Sequence, residues 1–196
     1  MSYIPGLPPG FRFDPTDDAQ LILDHLCPKL CRQPNRFHSN NNVVFEADLY
    51  DDDERWKNWF DLTGESRLYF FTRLKKKKKE KGKRVERSFG QSVWKSQKDD
   101  KIKLVIPGEE EIEIGTKRSF SYKVKDGGGG GSSGKESESN GWVMHEFKIN
   151  GELAKCLGVC GDDYVVCCVR KKEEGKSNGG EWPEIELIDA SSWTAA

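Results

Sequence analysis

Six short segments rich in β-branched and aromatic residues constrain the fold of this chain more than any other feature. Several of them alternate polar and apolar side chains, which is the pattern of strands with one buried face. In chain order they read "RLYFFTRL", "KIKLVI", "EIEIG", "RSFSYKV", "WVMHEFKI" and "DYVVCCVRK". Most of them are not separated by a stretch long enough for a crossover helix. The pattern therefore favours an antiparallel sheet over a parallel one.

One helix is predicted ahead of these strands, in the segment "TDDAQLILDHLCPKL". Thr16 is a candidate N-cap, acidic residues occupy the first turn, and apolar residues follow at helical spacing. We predict a helix from Asp17 to Leu26, which Pro28 helps to end.

The chain is expected to form one domain. It has 196 residues, of which 35% are hydrophobic, and this is enough for one core. The Gly/Ser-rich tract 126–141 is predicted to be a disordered loop between two strands. The sequence shows no apolar run of about twenty residues and no apolar stretch near Met1, so we expect no membrane span and no signal peptide. The six cysteines are then expected to be free thiols in a reducing compartment.

Charge is distributed very unevenly along the chain. The formal net charge is only -1, yet residues 73–103 hold fourteen Lys and Arg against four acids, which is +10 and leaves -11 for the rest. Attraction to a polyanion depends on this local potential and not on the total. The window is compatible with a nucleic-acid-binding surface, with a nuclear import signal at residues 75–79, and with a solvated loop of no specific function.

Five stretches, taken in order, resemble the successive motifs of the NAC family of plant transcription factors, whose shared domain binds DNA. They cover roughly residues 7–172 and read "LPPGFRFDPTDD", "EADLYDDDERWKNWFDL", "YFFTRLKKKKKEKGKRVERSFGQSVWK", "IGTKRSFSYK" with "GWVMHEFKI", and "DYVVCCVRKK". A single motif would be weak evidence, but five in the same order are hard to obtain by chance.

The resemblance implies an α+β fold, a twisted antiparallel β-sheet packed with a few helices. It also implies a nuclear protein that binds double-stranded DNA and dimerises with itself or with other NAC-family proteins. An outer strand would enter the major groove, where a β-element can read base edges while nearby cations neutralise phosphates. The DNA-contacting positions are predicted to be Arg84, Arg87, Lys95, Lys98, Lys75, Lys76, Lys77, Lys78 and Lys79. The dimerisation positions are predicted to be Leu7, Phe11 and Arg12.

The domain boundaries follow from the same match. Residues 1–6 are assigned to an N-terminal extension, residues 7–172 to the DNA-binding and dimerisation domain, and residues 173–196 to a tail. The tail alternates acidic and hydrophobic residues, as regulatory segments do, and is predicted to contact a coregulator. The alternative is a short terminal strand or simple disorder.

The segment that the resemblance predicts to read bases departs from the family pattern. Ser96, Gln97 and Lys98 stand where small groove-facing residues are usual, so base reading is expected to be altered or weak. This leaves open a second function: a module that does not read DNA, heterodimerises with NAC relatives and dampens them. Asp99 and Asp100 would repel phosphates, so we expect them to point away from the duplex or to cap the following strand.

The dimer-forming segment also departs from the pattern, at Ala19. The family pairs an Arg, here Arg12, with an acidic residue at this position across the dimer. We expect Arg12 to turn to Asp17 or Asp18, the dimer to be weaker than in relatives, and Ala19→Glu to tighten it.

Metal-binding and catalytic functions find little support. Structural zinc sites prefer two tight ligand pairs, and buried thiols are the favoured interpretation of the cysteines. No P-loop, nucleophile elbow or metalloprotease motif occurs in the sequence. We therefore predict no metal, no cofactor and no enzyme activity. The residues that could be assembled into a zinc site on paper are His25, Cys27, Cys31 and His38, followed by Cys156, Cys160, Cys167 and Cys168.

Overall fold

The computed structural model describes residues 4, 7–8, 11–31, 43–76, 85–108, 110–124, 141–159 and 164–172. Its strands are β1 Val44–Glu46, β2 Arg67–Arg73, β3 Lys75–Lys76, β4 Val85–Glu86, β5 Ser88–Phe89, β6 Ser92–Leu104, β7 Ile112–Val124, β8 Trp142–Ile149 and β9 Tyr164–Lys171. Its α-helices are α1 Asp18–Gln20, α2 Cys27–Leu30, α3 Asn58–Thr63 and α4 Gly151–Cys156. None of these helices is long and apolar enough to cross a bilayer.

Seven strands form one sheet in the order β1-β2-β9-β8-β7-β6-β5, and β3 pairs with β4 in a separate two-stranded ribbon. The predicted α+β fold with an antiparallel sheet and few helices is confirmed, with one correction: β1 runs parallel to β2, so the sheet is mixed. β1 could not be predicted from the sequence, because three residues are too few to show alternation.

Three of the predicted strand segments belong to two observed strands that are longer than the sequence patterns indicated. "EIEIG" and "RSFSYKV" belong to one continuous strand, β7, and "KIKLVI" overlaps only the end of β6. The outer part of β6 reads "KSQKDDK", which has no apolar alternation. It is held as a strand by its ladder with β7 and not by burial of its own side chains.

The N-terminal helical segment is longer than predicted and begins differently. Asp17, not Thr16, is the N-cap, and its Oδ1 accepts a hydrogen bond from the Ala19 amide at 2.8 Å. A π-helical stretch, Leu21–Leu26, joins α1 to α2. Pro28 does not end the helix, because it lies in the first turn of α2, where the missing N–H of proline is tolerated.

The sheet separates two hydrophobic clusters, since consecutive residues of its central strands alternate between them. One cluster is built on Trp56 and Trp94, and the other on Ile22 and neighbouring residues of the helical segment. Gly115 lets that segment approach the sheet closely. A Cβ at this position would lie 2.5 Å from Ile22 Cδ1 and from the Lys148 carbonyl oxygen.

Candidate nucleic-acid interface

The outer edge of β6 is open over most of its length. The short strand β5 pairs only with Ser92 and Val93, and the Trp94 amide donates to the Arg87 carbonyl oxygen at 3.0 Å. Beyond that point β6 has no other strand neighbour on this side within the described residues. The side chains of residues 95–99 are exposed. An open edge of this kind presents both backbone groups and side chains to a partner.

A β-bulge at Gln97 brings two lysines to the same face of this edge. Lys95 pairs with Ser121 and Lys98 with Ser119, two residues apart on β7, while Gln97 has no partner in the register. In a regular strand, residues three apart point to opposite faces. The extra residue of the bulge therefore places the Lys95 and Lys98 side chains side by side.

Carboxylates lie beside most cations of β6. Lys98 contacts Asp100 at 2.9 Å, and Asp99 contacts Arg118 of β7 at 3.1 Å. Two further pairs, farther along the strand, are Lys101–Glu113 and Lys103–Glu111. Neither aspartate caps a strand, in contrast to one of the expected arrangements. Exposed pairs of this kind contribute only about 0–1 kcal/mol, so a phosphate can compete for the lysines.

Trp94 anchors the beginning of this edge in the core. It is 2% exposed, contacts the rings of Trp56 and Tyr122, and donates from Nε1 to the Leu49 carbonyl oxygen at 3.0 Å. The large apolar side chain at the position before Lys95 therefore fixes the strand rather than meeting a ligand.

Arg87 is engaged inside the protein. Its Nη2 lies 2.8 and 3.0 Å from the two carboxylate oxygens of Glu146, and its guanidinium packs over Phe120. The Glu146 side chain is only 1% exposed and that of Arg87 only 16%. The role of Arg87 as a DNA contact stays a prediction. The geometry favours a positioning role, because the Arg87 carbonyl oxygen also accepts the hydrogen bond from the Trp94 amide.

Tyr50 completes the environment of Glu146. Its hydroxyl donates to Glu146 Oε2 at 3.0 Å. Burial, with smaller contributions from Cys167 and Glu146, raises the pKa of Tyr50 well above its ordinary value. The hydroxyl therefore remains a hydrogen-bond donor, and the buried carboxylate is paired on two sides.

Glu54 is a second positioning residue that the sequence did not indicate. Its carboxylate accepts hydrogen bonds from Ser92, at 2.8 Å, and from Tyr122 and Lys57. Burial raises the pKa of Glu54, but the hydrogen bonds from Lys57, Tyr122 and Ser92 outweigh it and lower the pKa below its ordinary value. Glu54 thus joins the start of β6 to the loop before α3.

Lys75 and Lys76 are the residues of the basic run that lie within the described ranges. Lys75 Nζ contacts Asp48 at 2.6 Å and the Tyr50 carbonyl oxygen at 3.2 Å, and its side chain is half exposed. The backbone of Lys76 pairs with Val85. The remaining predicted positions of the run, Lys77, Lys78, Lys79 and Arg84, lie outside the described residues.

The N-terminal segment corrects two sequence-based expectations. Arg12 contacts Glu65 at 3.9 Å and not Asp17 or Asp18, because Asp17 caps the helix and Asp18 pairs with Lys117. Ala19 is 3% exposed and packs in the core. Ala19→Glu would bury a carboxylate, so we now expect it to destabilise the fold instead of tightening a dimer.

The structure does not bring a metal site together: no group of three or more His, Cys, Asp or Glu within the described ranges could hold an ion. His38 and Cys160 lie outside those ranges. Burial raises the pKa of Cys27 and of Cys168 to about 11. These thiols are therefore protonated near neutral pH, as unreactive core residues are.

The family model described as "No apical meristem (NAM) protein" matches residues 8–149 of the chain. The chain belongs to this family. Its similar relatives carry the NAC name. "NAC domain-containing protein JA2L" of Solanum lycopersicum is 30% identical over 188 residues, which are 95% of this chain and 48% of the relative. "NAC domain-containing protein 68" of Oryza sativa subsp. japonica is 31% identical over 194 residues, 97% of this chain and 55% of the relative.

A third relative, "NAC transcription factor 32" of Arabidopsis thaliana, is 31% identical over 175 residues, 85% of this chain and 60% of the relative. The chain thus spans about half the length of the curated relatives it matches. The NAC resemblance stated from the five motifs is confirmed. In this NAC-family chain the departures Ser96, Gln97 and Lys98 all fall at the bulge of the open edge.

Proposed function

We propose that this NAC-family chain is a nuclear, DNA-binding transcription regulator that inserts the β6 edge into the major groove. The observation that carries the proposal is the bulged, open edge on which Lys95 and Lys98 share one face. A two-stranded β-element fits the major groove, and lysines can contact guanine or neighbouring phosphates there. The name of the similar "NAC transcription factor 32" agrees with this function.

The predicted contact residues divide into two groups by their surroundings. Lys95 and Lys98 lie on a strand fixed by Trp94, so they have the geometry to discriminate bases. The run 75–79 follows β2, begins in β3 and carries five consecutive positive charges. We assign it to phosphate attraction, with Arg84 as a further contact and Arg87 as a positioning residue.

A specific observation favours a second candidate function. The acidic partners of β6 reduce its positive potential. A chain with such an edge could dimerise with NAC relatives and dampen them without reading DNA. A mobility-shift experiment with a DNA duplex of the kind that NAC-family proteins bind separates the two functions. Specific binding supports the regulator. Binding to partners alone, or to DNA without sequence preference, supports the dampening module.

We assign residues 7–172 to DNA binding and dimerisation, residues 1–6 to an extension, and residues 173–196 to a coregulator-binding tail. The tail lies outside the described residues. The dimer, formed with itself or with other NAC-family proteins, would use Leu7, Phe11 and Arg12. Phe11 is 67% exposed, and an exposed aromatic residue next to an Arg is suited to an interface.

We expect a dimer whose population depends on concentration and which Phe11→Ser weakens. Sedimentation velocity at tens of micromolar, the order of magnitude of a weak interface, checks this. Leu62→Ser is the matched control, because Leu62 is also exposed, at 69%, but lies on α3. A wild-type chain that sediments only as a monomer at this concentration, or two variants that shift equally, would exclude the assigned interface.

Asp100→Asn is expected to tighten binding to all duplexes about two- to fivefold. It removes the carboxylate beside Lys98, so one more ammonium group becomes available and the salt slope should rise by up to about one unit. Asp53→Asn, which removes an exposed acid paired with Arg55, is the control. A gain seen on only one sequence, or an equal gain in the control, would contradict this role of Asp100.

A further inference from the structure

We propose that Gln97 is a base-reading residue of this chain, which selects a base with a major-groove amino group, adenine or cytosine, at one position of the DNA site. The inference rests on the proposed DNA-binding function and adds the chemistry of one recognition contact. The inference is drawn from Gln97 because this residue lies in the bulge of the β6 edge.

The bulge sets the position of Gln97. The residue lies between the pairs Ser96–Phe120 and Lys98–Ser119, without a partner of its own on β7. Its side chain is exposed, on an edge that no other described strand covers at this point. Bulges re-aim side chains in this way next to functional sites.

Two hydrogen bonds fix the orientation of the amide group. Gln97 Nε2 donates to Ser121 Oγ at 3.0 Å and to the Lys95 carbonyl oxygen at 3.3 Å. Because a carbonyl oxygen only accepts, the amide atom that faces Lys95 must be the nitrogen. Both amide hydrogens are then used within the chain.

The remaining polar atom of the side chain, Gln97 Oε1, is an acceptor. Among the described residues it receives no hydrogen bond. The amide is held against Ser121, which pairs with Lys95, so this acceptor lies close to the two lysines that share one face. An acceptor that is oriented before binding loses little conformational freedom when it meets its partner.

An exposed acceptor discriminates between bases in the major groove. Adenine presents its N6 amino group and cytosine its N4 amino group, whereas guanine and thymine present oxygen acceptors at the corresponding positions. Oε1 can therefore pair with an amino base and meets only another acceptor on a keto base. Lys95 and Lys98 make their own contacts with the duplex, and Gln97 adds the selection of an amino base at one further position.

The test is selection of preferred sites from a randomised duplex pool by the full 196-residue chain, with wild type, Gln97→Leu and Gln97→Glu in parallel. Wild type should select adenine or cytosine at one position. Gln97→Leu removes the acceptor and should lose that preference, with about a tenfold loss of affinity for the selected site. Gln97→Glu keeps an acceptor and should retain an amino base, with cytosine favoured.

Two further variants separate reading from a purely structural role of Gln97. Ser121→Ala removes one bond that orients the amide and should weaken the preference at the same position only. Gln20→Leu, the same substitution at an exposed position of α1, should leave it intact. Thermal unfolding of each variant checks that the substitutions leave the fold unchanged.

The outcomes are distinct. Loss of one base preference in Gln97→Leu, with the rest of the site retained, supports the inference. The same base preference in wild type and Gln97→Leu overturns it and leaves the proposed function standing. A wild-type chain that selects no sequence overturns both.

Discussion

Arg87→Met is expected to lower the free energy of unfolding by about 3–5 kcal/mol, because it leaves the buried Glu146 carboxylate without its ionic partner. Methionine keeps most of the apolar volume that packs on Phe120. The lost stability therefore reflects the unpaired charge and not a cavity. The total free energy of unfolding of a domain is about 5–15 kcal/mol, so the variant should be close to unfolding. Urea denaturation followed by tryptophan fluorescence measures the effect.

Arg55→Met is the matched control for this prediction. Arg55 also pairs with an acid, Asp53, but its side chain is 74% exposed, and exposed pairs contribute about 0–1 kcal/mol. The double variant Arg87→Met/Glu146→Gln should recover part of the loss, because it removes the unpaired charge and keeps an acceptor for Tyr50. If Arg87→Met loses no more stability than Arg55→Met, the buried Arg87–Glu146 pair does not stabilise the fold at the start of β6.

Replacing the five lysines 75–79 by alanine is expected to lower affinity at least about tenfold on every duplex, whatever its sequence. The run has the charge for phosphate attraction, and each lost phosphate contact should reduce the salt slope by up to about one unit. Filter binding across a series of salt concentrations measures both quantities. A loss confined to one sequence would show that these lysines read bases.

The sheet could be predicted largely from sequence, because strands such as β2 and β9 are bounded segments rich in aromatic and β-branched residues. The outer part of β6 could not, since its charged side chains carry no alternation and only the ladder with β7 makes it a strand. The helical segment was predicted too short, because the position of Pro28 within a turn decides whether it ends a helix.

The site was predictable where it depends on residue type and not where it depends on tertiary contacts. An exposed lysine after a buried tryptophan follows from the alternation of a strand. The pairing of Arg87 with Glu146 joins residues 59 positions apart, so no local sequence pattern predicts it. The bulge at Gln97 could not be predicted from the sequence either, because it is a property of the register between β6 and β7.

The β6 edge is expected to read DNA sequence, whereas the basic run 75–79 is expected to attract phosphates whatever the sequence. The most direct test is the affinity of Lys95→Ala for a preferred and a scrambled duplex, measured across a salt series beside the five-lysine variant. We expect Lys95→Ala to cost about 1–3 kcal/mol on the preferred duplex and clearly less on the scrambled one, and the five-lysine variant to lose affinity on both alike. If Lys95→Ala and the five-lysine variant lose affinity equally on both duplexes, the β6 edge does not read sequence.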